Sequence, residues 1–264
     1  MLDKSLLEHK IKSLKICVII PTYNNERTLK RVIDGVLEIT DDLIVINDGA
    51  TDSTSRILKK YTDITQIYLP KNKGKGNALR VGFKKAEELG YEFSITIDSD
   101  GQHYPEDIAV FVNQLEFETN KNILLIGSRN MNQEAVPGGS SFGNKFSNFW
   151  YKVETSIQLK DTQSGFRLYP LKELNKIKFY TSKFEFEIEN IVKAAWKGII
   201  VKNVPVKVLY DEQERVSHFR PFKDFARISL LNTWLVLVAF IYIKPRDLIR
   251  KLRKKGIRRF IKEE

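Results

Sequence analysis

The chain has 264 residues, of which 42% are hydrophobic, so it is long and apolar enough to bury a large globular core. Its single cysteine, Cys17, excludes an intrachain disulfide and favours a reducing compartment, and three scattered histidines argue against a zinc site built from His and Cys. The formal net charge of +11 suggests a polyanionic partner: nucleic acid, phosphates or an anionic membrane.

The N-terminal 15 residues mix charges and lack the apolar stretch of a signal peptide. From there to about residue 208, short apolar runs alternate with amphipathic stretches. The apolar runs predict strands at 16–20, 43–47, 65–69, 93–97, 123–127 and 199–208. The amphipathic stretches predict crossover helices at 26–37, 53–61, 76–89 and 105–118. This alternation indicates an α/β fold with a mainly parallel central sheet flanked by helices.

Two carboxylates follow the predicted strand 93–97, in the sequence Asp-Ser-Asp-Gly-Gln-His at 98–103. Asp98 and Asp100 would repel one another unless a cation or a proton lay between them. Mg²⁺ and Mn²⁺ take one or two carboxylates together with substrate phosphates, so Asp98, Asp100 and the amide oxygen of Gln102 are candidate ligands. The alternative is a turn in which Asp and Gly serve only backbone geometry.

Two further polar clusters accompany this pair. Asp48, just after the strand 43–47, lies close enough to the strand end to accept a hydrogen bond from a nucleobase, whereas Asp52 is better explained as a helix N-cap. The glycine-rich basic segment 71–80 matches neither the Walker pattern nor the dinucleotide fingerprint. A basic turn at a helix N-terminus still favours the binding of an anion, and Lys75 is the candidate residue for that contact.

Positive charge is concentrated at the end of the chain. Residues 244–264 carry a net charge of +7, and their apolar side chains fall roughly on one helical face, as in an interfacial helix. The charge-free run 228–243 before them would extend only about 24 Å, short of a hydrocarbon core of about 30 Å. We predict that this region lies in or dips into an anionic membrane surface without a full transmembrane span. A core helix followed by a solvated one is the alternative, and no zinc-finger or RNA-binding motif supports a nucleic-acid partner.

A series of motifs resembles the family 2 glycosyltransferases with the GT-A fold, in particular the dolichyl-phosphate mannose synthase group of polyprenyl-phosphate glycosyltransferases. The first four are Pro-Thr-Tyr-Asn-Asn-Glu at 21–26, Asn-Asp-Gly-Ala-Thr-Asp at 47–52, the basic turn at 71–80 and Asp-Ser-Asp-Gly-Gln-His at 98–103. The later ones are Gly-Ser-Arg at 127–129, Gly-Asn-Lys-Phe-Ser-Asn at 143–148, Asp-Thr-Gln-Ser-Gly-Phe-Arg at 161–167, Phe-Glu-Phe-Glu-Ile-Glu at 184–189 and Val-Pro-Val at 204–206. The match runs from about residue 15 to 225.

The resemblance implies a GT-A nucleotide-sugar-binding domain at 15–224, between an N-terminal extension at 1–14 and C-terminal amphipathic, membrane-associating helices at 225–264. It implies that the nucleotide is held by Pro21, Tyr23, Glu26 and Asp48, with Lys75 nearby. Asp98, Asp100 and Gln102 would coordinate the Mg²⁺ or Mn²⁺ that bridges the diphosphate. The acceptor phosphate would be bound by Arg129, Lys145, Arg167, Ser217, His218 and Arg220. Asp161 and Glu187 would shape the sugar and acceptor side and complete the catalytic set of Asp98, Asp100 and Arg129.

Three positions depart from the family pattern. Asn47 replaces the first acid of the usual pair, and Lys145 stands where an arginine is usual, so it offers charge without a bidentate fork. His218 occupies a position that is often lysine, which weakens the expected phosphate contact there, although Arg220 and Lys223 could replace it.

These features predict an inverting, metal-dependent hexosyltransferase that uses a GDP- or UDP-linked sugar and a dolichyl- or undecaprenyl-type phosphate at the cytoplasmic face of a membrane. A phosphate acceptor needs no general base, because its second pKa of about 6 leaves it anionic near neutral pH. Transfer to a hydroxyl of a glycolipid or polysaccharide precursor is the alternative, and it would need a carboxylate base such as Asp161. A noncatalytic membrane-binding protein is a further alternative, which the Asp98 and Asp100 pair opposes.

Overall fold

We describe a computed structural model of the chain that covers residues 4–130, 138–209 and 220–260. Within these residues a seven-stranded sheet has the order β3-β2-β1-β4-β6-β5-β7. The strands are β1 Ile16–Thr22, β2 Leu43–Asn47, β3 Thr65–Tyr68, β4 Phe93–Thr96, β5 Ile123–Ser128, β6 Arg167–Pro170 and β7 Ile200–Pro205. The mainly parallel sheet that the sequence predicts is confirmed, because only β6 runs antiparallel to its neighbours β4 and β5.

Helices cover both faces of the sheet, which explains why its central strands are apolar throughout. The helices before and between the strands are α1 Lys4–Ser13, α2 Leu29–Leu37, α3 Thr54–Leu58, α4 Lys75–Glu88, α5 Ile108–Phe117, α6 Gly138–Thr155, α7 Leu171–Leu174 and α8 Glu185–Trp196. Alternate residues of β1 point to opposite faces: Val18 packs in the core under α2 and α5, and Ile19 packs in the core under α4 and α8. Because β1, β2 and β4 are parallel, the polar residues that follow their carboxyl ends lie together at one edge of the sheet.

The strand β6 was not predicted. It has four residues, begins with Arg167 and ends with Pro170, so it lacks the apolar alternation that identifies strands. The predicted strand 199–208 is also too long, since β7 ends at Pro205 and only an isolated bridge between Val208 and His103 follows. That bridge holds the chain beyond β7 against the 98–103 loop.

The C-terminal region is one continuous helix made of α9 Pro221–Val238, a π-helical turn at Ala239–Ile243 and α10 Lys244–Phe260. Its segment Phe222–Arg250 has 29 residues and is long and apolar enough, by length and composition, to cross a membrane. The charge-free run 228–243 is thus the middle of a longer helix, so the reach of about 24 Å estimated for that run alone does not limit the helix. Whether the helix crosses the membrane or lies in its surface stays a prediction, as does the division of the chain at residue 225.

Candidate active site

A cavity of about 580 Å³ opens at the carboxyl ends of β1, β2 and β4, the edge where ligands bind in parallel α/β sheets. Residues from every part of the predicted nucleotide and metal motifs reach it. Those among the predicted site residues that line it are Pro21, Tyr23, Asp48, Lys75, Asp98, Asp100 and Arg220. The parallel register explains this meeting, since Pro21 pairs with Ile46 two residues before Asp48, and β4 ends beside β1.

Asp48 fastens the glycine-rich turn to the end of β2. Its Oδ1 accepts the backbone N–H of Lys73 at 2.9 Å, and its Oδ2 accepts that of Gly74 at 2.8 Å. Burial raises the pKa of Asp48, while these two N–H groups oppose the shift. Gly49 has a φ of +69° and passes so close to Lys71 that a Cβ would lie 2.5 Å from its carbonyl carbon. Asp48 therefore shapes the wall of the cavity as well as lining it.

Lys75 lies between two carboxylates at the base of the cavity. Its Nζ is 2.7 Å from Asp98 Oδ1 and 3.0 Å from Glu187 Oε1. Burial alone would raise the pKa of Asp98, but the Lys75 ammonium outweighs it and holds that pKa below its usual value. Gly165 is required beside this pair, because a Cβ there would lie 2.4 Å from Asp98 Oδ2 and 2.6 Å from Lys75 Nζ. Asp98 is thus kept ionised.

The donor set at this point fits a hard divalent ion that also binds phosphate. Asp98 and Asp100 both line the cavity, and Asp100 Oδ1 accepts the backbone N–H of Gln102 at 3.0 Å. Within the described residues no group of three or more His, Cys, Asp and Glu side chains surrounds a common point. Two carboxylates with room for a diphosphate are what Mg²⁺ and Mn²⁺ use in such sites. Gln102 itself does not line the cavity.

Arg129 and Asp161 form a buried ion pair outside the cavity. The guanidinium donates from Nε to Asp161 Oδ2 at 2.7 Å and from Nη2 to Oδ1 at 3.1 Å. Asp161 is fully buried and also accepts from Asn144 at 2.7 Å. Burial would raise the pKa of Asp161, but Arg129 and the backbone N–H groups hold it below its usual value. Asp161 is therefore bound to Arg129 and Asn144 in this structure, and its role as the base of a hydroxyl acceptor stays a prediction that would require these contacts to open.

Arg167 is also committed to the interior. It is 0% exposed, and its guanidinium donates to the carbonyl oxygens of Ser164, Thr162 and Glu187 at 2.6, 3.0 and 2.9 Å. This geometry ties the 162–164 loop to α8 and leaves no donor directed at the cavity. The acceptor-phosphate roles predicted for Arg129 and Arg167 stay predictions, and each would require these contacts to open.

The remaining predicted residues lie away from the cavity or outside the described residues. Glu26 accepts the backbone N–H of Ser53 at 2.9 Å and fastens two loops together, while Lys145 is exposed on α6. Ser217 and His218 fall outside the described residues. Asp52 accepts the N–H of Thr54 at 2.9 Å, but Ser53 is the N-cap residue of α3, so Asp52 lies one residue before the predicted capping position.

Four charged cavity residues were missed or undervalued by the sequence reasoning: Lys183, Lys223, Asp224 and Arg227. Lys183 precedes α8, and the other three lie in the first two turns of α9. Their helical spacing of three and four residues was the available signal. Lys223 was considered only as a replacement for His218, and Arg227 was placed in the membrane-associating segment.

Comparison with known proteins agrees with this architecture. The family model described as "Glycosyl transferase family 2" matches residues 17–176 of the chain. The UDP-N-acetylglucosamine–dolichyl-phosphate N-acetylglucosaminyltransferase of Methanococcus voltae is 28% identical over 84% of this chain and 98% of its own length. The dolichyl-phosphate beta-glucosyltransferase of Saccharomyces cerevisiae is 26% identical over 76% of this chain and 69% of its own length.

Among solved structures, glucosyl-3-phosphoglycerate synthase from Mycobacterium tuberculosis, crystallised with Mn²⁺, UDP and phosphoglyceric acid, has a TM-score of 0.65 at 20% identity. The alignment covers 89% of this chain and 82% of that one, and it supports the GT-A-like fold that the motifs implied. The chain therefore belongs to glycosyl transferase family 2, and it is a glycosyltransferase.

Proposed function

We propose that this chain moves a hexose from a GDP- or UDP-linked donor to a polyprenyl phosphate at the cytoplasmic face of a membrane. One observation carries the proposal: a single cavity is lined both by the Asp98 and Asp100 pair and by the first turns of the long apolar helix at Lys223 and Arg227. A site for a diphosphate and a helix suited to a membrane thus meet at one place. The name of the Methanococcus voltae relative includes a UDP-linked sugar and dolichyl phosphate, which supports the same substrate classes for this chain.

The donor half follows from the edge of the sheet. Pro21, Tyr23 and Asp48 bind the nucleoside at the ends of β1 and β2, and the carboxylates of Asp98 and Asp100 hold Mg²⁺ or Mn²⁺. An ion held by these carboxylates would supply neutralisation of the charge that develops on the leaving diphosphate. Lys75 keeps Asp98 ionised and oriented, since its ammonium lies 2.7 Å from Oδ1. The catalytic contribution of these residues is positioning and charge stabilisation.

The acceptor half needs little proton chemistry. An oxygen of the acceptor phosphate attacks the anomeric carbon, the bond from that carbon to the donor diphosphate breaks, and a nucleoside diphosphate leaves with inversion of configuration. The phosphate is already anionic near neutral pH, given a second pKa of about 6. The buried pairing of Asp161 with Arg129 favours this acceptor over a hydroxyl, which would need a free base.

The surface of the C-terminal helix supports a membrane location. Its exposed apolar side chains include Leu230 at 73%, Trp234 at 59% and Ile241 at 75% exposure. Soluble proteins seldom expose such a continuous apolar strip, and the basic residues of α10 that follow would attract anionic headgroups.

The decisive assay supplies radiolabelled UDP- and GDP-sugars with Mn²⁺ and either polyprenyl phosphate or diacylglycerol in vesicles. We expect label in a lipid product that mild acid hydrolyses, and only with the phosphate acceptor. A product that resists mild acid, formed from diacylglycerol, would replace the proposal with the hydroxyl acceptor. Metal-independent transfer would overturn the assignment of Asp98 and Asp100.

A further inference from the structure

The cavity has a basic rim, which we define as Lys183, Lys223 and Arg227. Lys183 belongs to the segment before α8, while Lys223 and Arg227 lie four residues apart on one face of α9. We propose that this basic rim is the subsite for a phosphate monoester, the reacting group of the acceptor. The inference rests on the proposed function. The motifs indicated Lys223 only as a replacement for His218, and they did not indicate Lys183 or Arg227.

The charge balance inside the cavity favours an anion at the basic rim. The acidic side is already partly neutralised, because Lys75 bridges Asp98 and Glu187. At the rim, Asp224 is the nearby carboxylate; its Oδ2 accepts the backbone N–H of Arg220 at 2.7 Å, and its Oδ1 lies 3.4 Å from Arg227 Nη1. The three cations of the basic rim are therefore accompanied by Asp224, and this carboxylate already accepts a hydrogen bond at the start of α9.

Two of these cations have no such commitment. Across the described part of the chain, neither Lys183 nor Lys223 lies within ion-pair distance of a carboxylate. Lys183 packs against Gly74 instead, since a Cβ added to Gly74 would lie 3.1 Å from the Lys183 Cα and 2.7 Å from its Cγ. Both residues therefore line the cavity without a carboxylate partner among the described residues, which leaves them available to an external anion.

Three of the other candidate cations are paired or lie elsewhere, and a fourth, Arg220, lines the cavity beside the basic rim. Arg129 is paired with Asp161 and Arg167 donates to three carbonyl oxygens, while Lys145 is exposed on α6 outside the cavity. Two substrate anions in one cavity also repel each other, so the acceptor phosphate needs cations separate from those that hold the donor diphosphate. The basic rim supplies them from the helix that continues into the exposed apolar strip.

That continuation favours a lipid as the source of the phosphate. Phe222, 93% exposed, precedes Lys223, and Leu230 and Trp234 follow on later turns of the same helix. A phosphate held at the rim could therefore keep its hydrocarbon chain in the membrane. A soluble phosphate such as glycerol 3-phosphate has the same headgroup chemistry and would lack this second contact.

The test measures the acceptor KM and the donor KM of the full chain with farnesyl phosphate and, separately, with glycerol 3-phosphate. The variants are the double substitution Lys223→Ala with Arg227→Ala, its charge-preserving partner K223R with R227K, and Lys183→Ala. Lys84→Ala is the matched control, because Lys84 is an exposed lysine on α4 whose side chain is 79% accessible. Direct titration of each protein with farnesyl phosphate gives binding independently of turnover, and circular dichroism checks the fold.

We expect the double alanine variant to raise the farnesyl phosphate KM and its dissociation constant at least about tenfold, the loss expected for charge-assisted contacts, with the donor KM unchanged. The charge-preserving variant should recover most of that loss. An acceptor KM and dissociation constant like those of Lys84→Ala in folded protein would overturn the basic rim while leaving the proposed function intact. Transfer to glycerol 3-phosphate alone, sensitive to the same variants, would uphold the rim as a phosphate site and overturn the lipid acceptor. Failure of the unmodified chain to bind or use either phosphate would overturn both.

Discussion

The two halves of the sheet use charged residues in opposite ways. In the half built from β1, β2 and β4, the predicted residues Asp48, Asp98 and Asp100 reach the cavity. In the half built from β5, β6 and β7, the predicted residues Arg129 and Asp161 bind each other below the surface. The first half presents its charges to a ligand, and the second uses them to hold the scaffold.

Lys75 connects these two regions. It lies at the N-terminus of α4 in the first half, yet its ammonium bridges Asp98 and Glu187, and Glu187 belongs to α8 in the second. Strand-end motifs of similar composition can therefore have different duties, and the partner that a side chain meets decides which duty it has. Substitutions on the two sides should accordingly separate activity from stability.

The largest effect is expected at the cavity. Asp100→Asn keeps the size of the side chain and removes a ligand charge, so we expect kcat to fall by about 10³-fold, as when one group that stabilises transition-state charge is removed. The melting temperature should change little, since Asp100 is partly exposed. The exposed Asp63→Asn is the control for a lost carboxylate. Full activity in Asp100→Asn would contradict the assignment of ligand binding to the half built from β1, β2 and β4.

The second half should lose stability instead. Arg129→Ala leaves Asp161 buried without its guanidinium, and we expect the free energy of unfolding to fall by about 3 kcal/mol in urea titrations. Lys4→Ala breaks a surface pair with Glu38 whose side chains are 67% and 68% exposed, and it should cost less than about 1 kcal/mol. Equal losses in the two variants would show that the Arg129 pair is not a supporting contact.

A third prediction concerns pH. Glu154, 1% exposed on α6, has no hydrogen-bond partner for its carboxyl oxygens among the described residues, and burial raises its pKa to about 8. The folded chain therefore holds a proton that the unfolded chain releases, and this stabilisation is present at low pH and is lost as pH rises toward 8. Glu154→Gln does not titrate, so its stability relative to the unmodified chain should increase by about 3 kcal/mol between pH 5.5 and pH 8. Unfolding curves at several pH values measure this, with exposed Glu88→Gln as control; parallel pH profiles would refute the buried protonated carboxyl.

The smallest effect is expected on the C-terminal helix, outside both halves. Ile241→Ser removes one exposed apolar side chain from the strip, and we expect binding to anionic vesicles to weaken by about tenfold, the value of burying one such side chain. Phe117→Ser, at a residue 80% exposed on α5, should leave vesicle binding unchanged. Sedimentation with vesicles distinguishes the two, and equal losses would remove the helix as the specific membrane contact.

The sequence predicted the first half well for a physical reason. Apolar strands followed at once by polar residues, as at Ile46 before Asn47 and Asp48, have their positions determined by the sheet itself. The second half depends on tertiary pairing: β6 is too short and polar to identify, and nothing in the sequence around Arg167 indicates that three carbonyl oxygens enclose its guanidinium.

The basic rim was hidden for a related reason. Arg227 falls in the segment predicted to associate with the membrane, Lys223 was considered only as a replacement for His218, and Lys183 lies just outside the 184–189 motif. Only the packing of α9 against α6 and α8 brings its first turns to the cavity. A local sequence pattern does not show which helix terminus from a distant segment will pack beside a site.

Calorimetric titration with UDP and with GDP, in the presence and absence of Mn²⁺, tests the central claim most directly, namely that the cavity edge at β1, β2 and β4 binds a nucleoside diphosphate through a carboxylate-held divalent ion. We predict that one of the two nucleotides binds with Mn²⁺ and loses most of its affinity with chelator. Asp100→Asn should lose the metal-dependent part, and Asp63→Asn should retain it. Binding that is equally tight with chelator, or unchanged in Asp100→Asn, would contradict the claim.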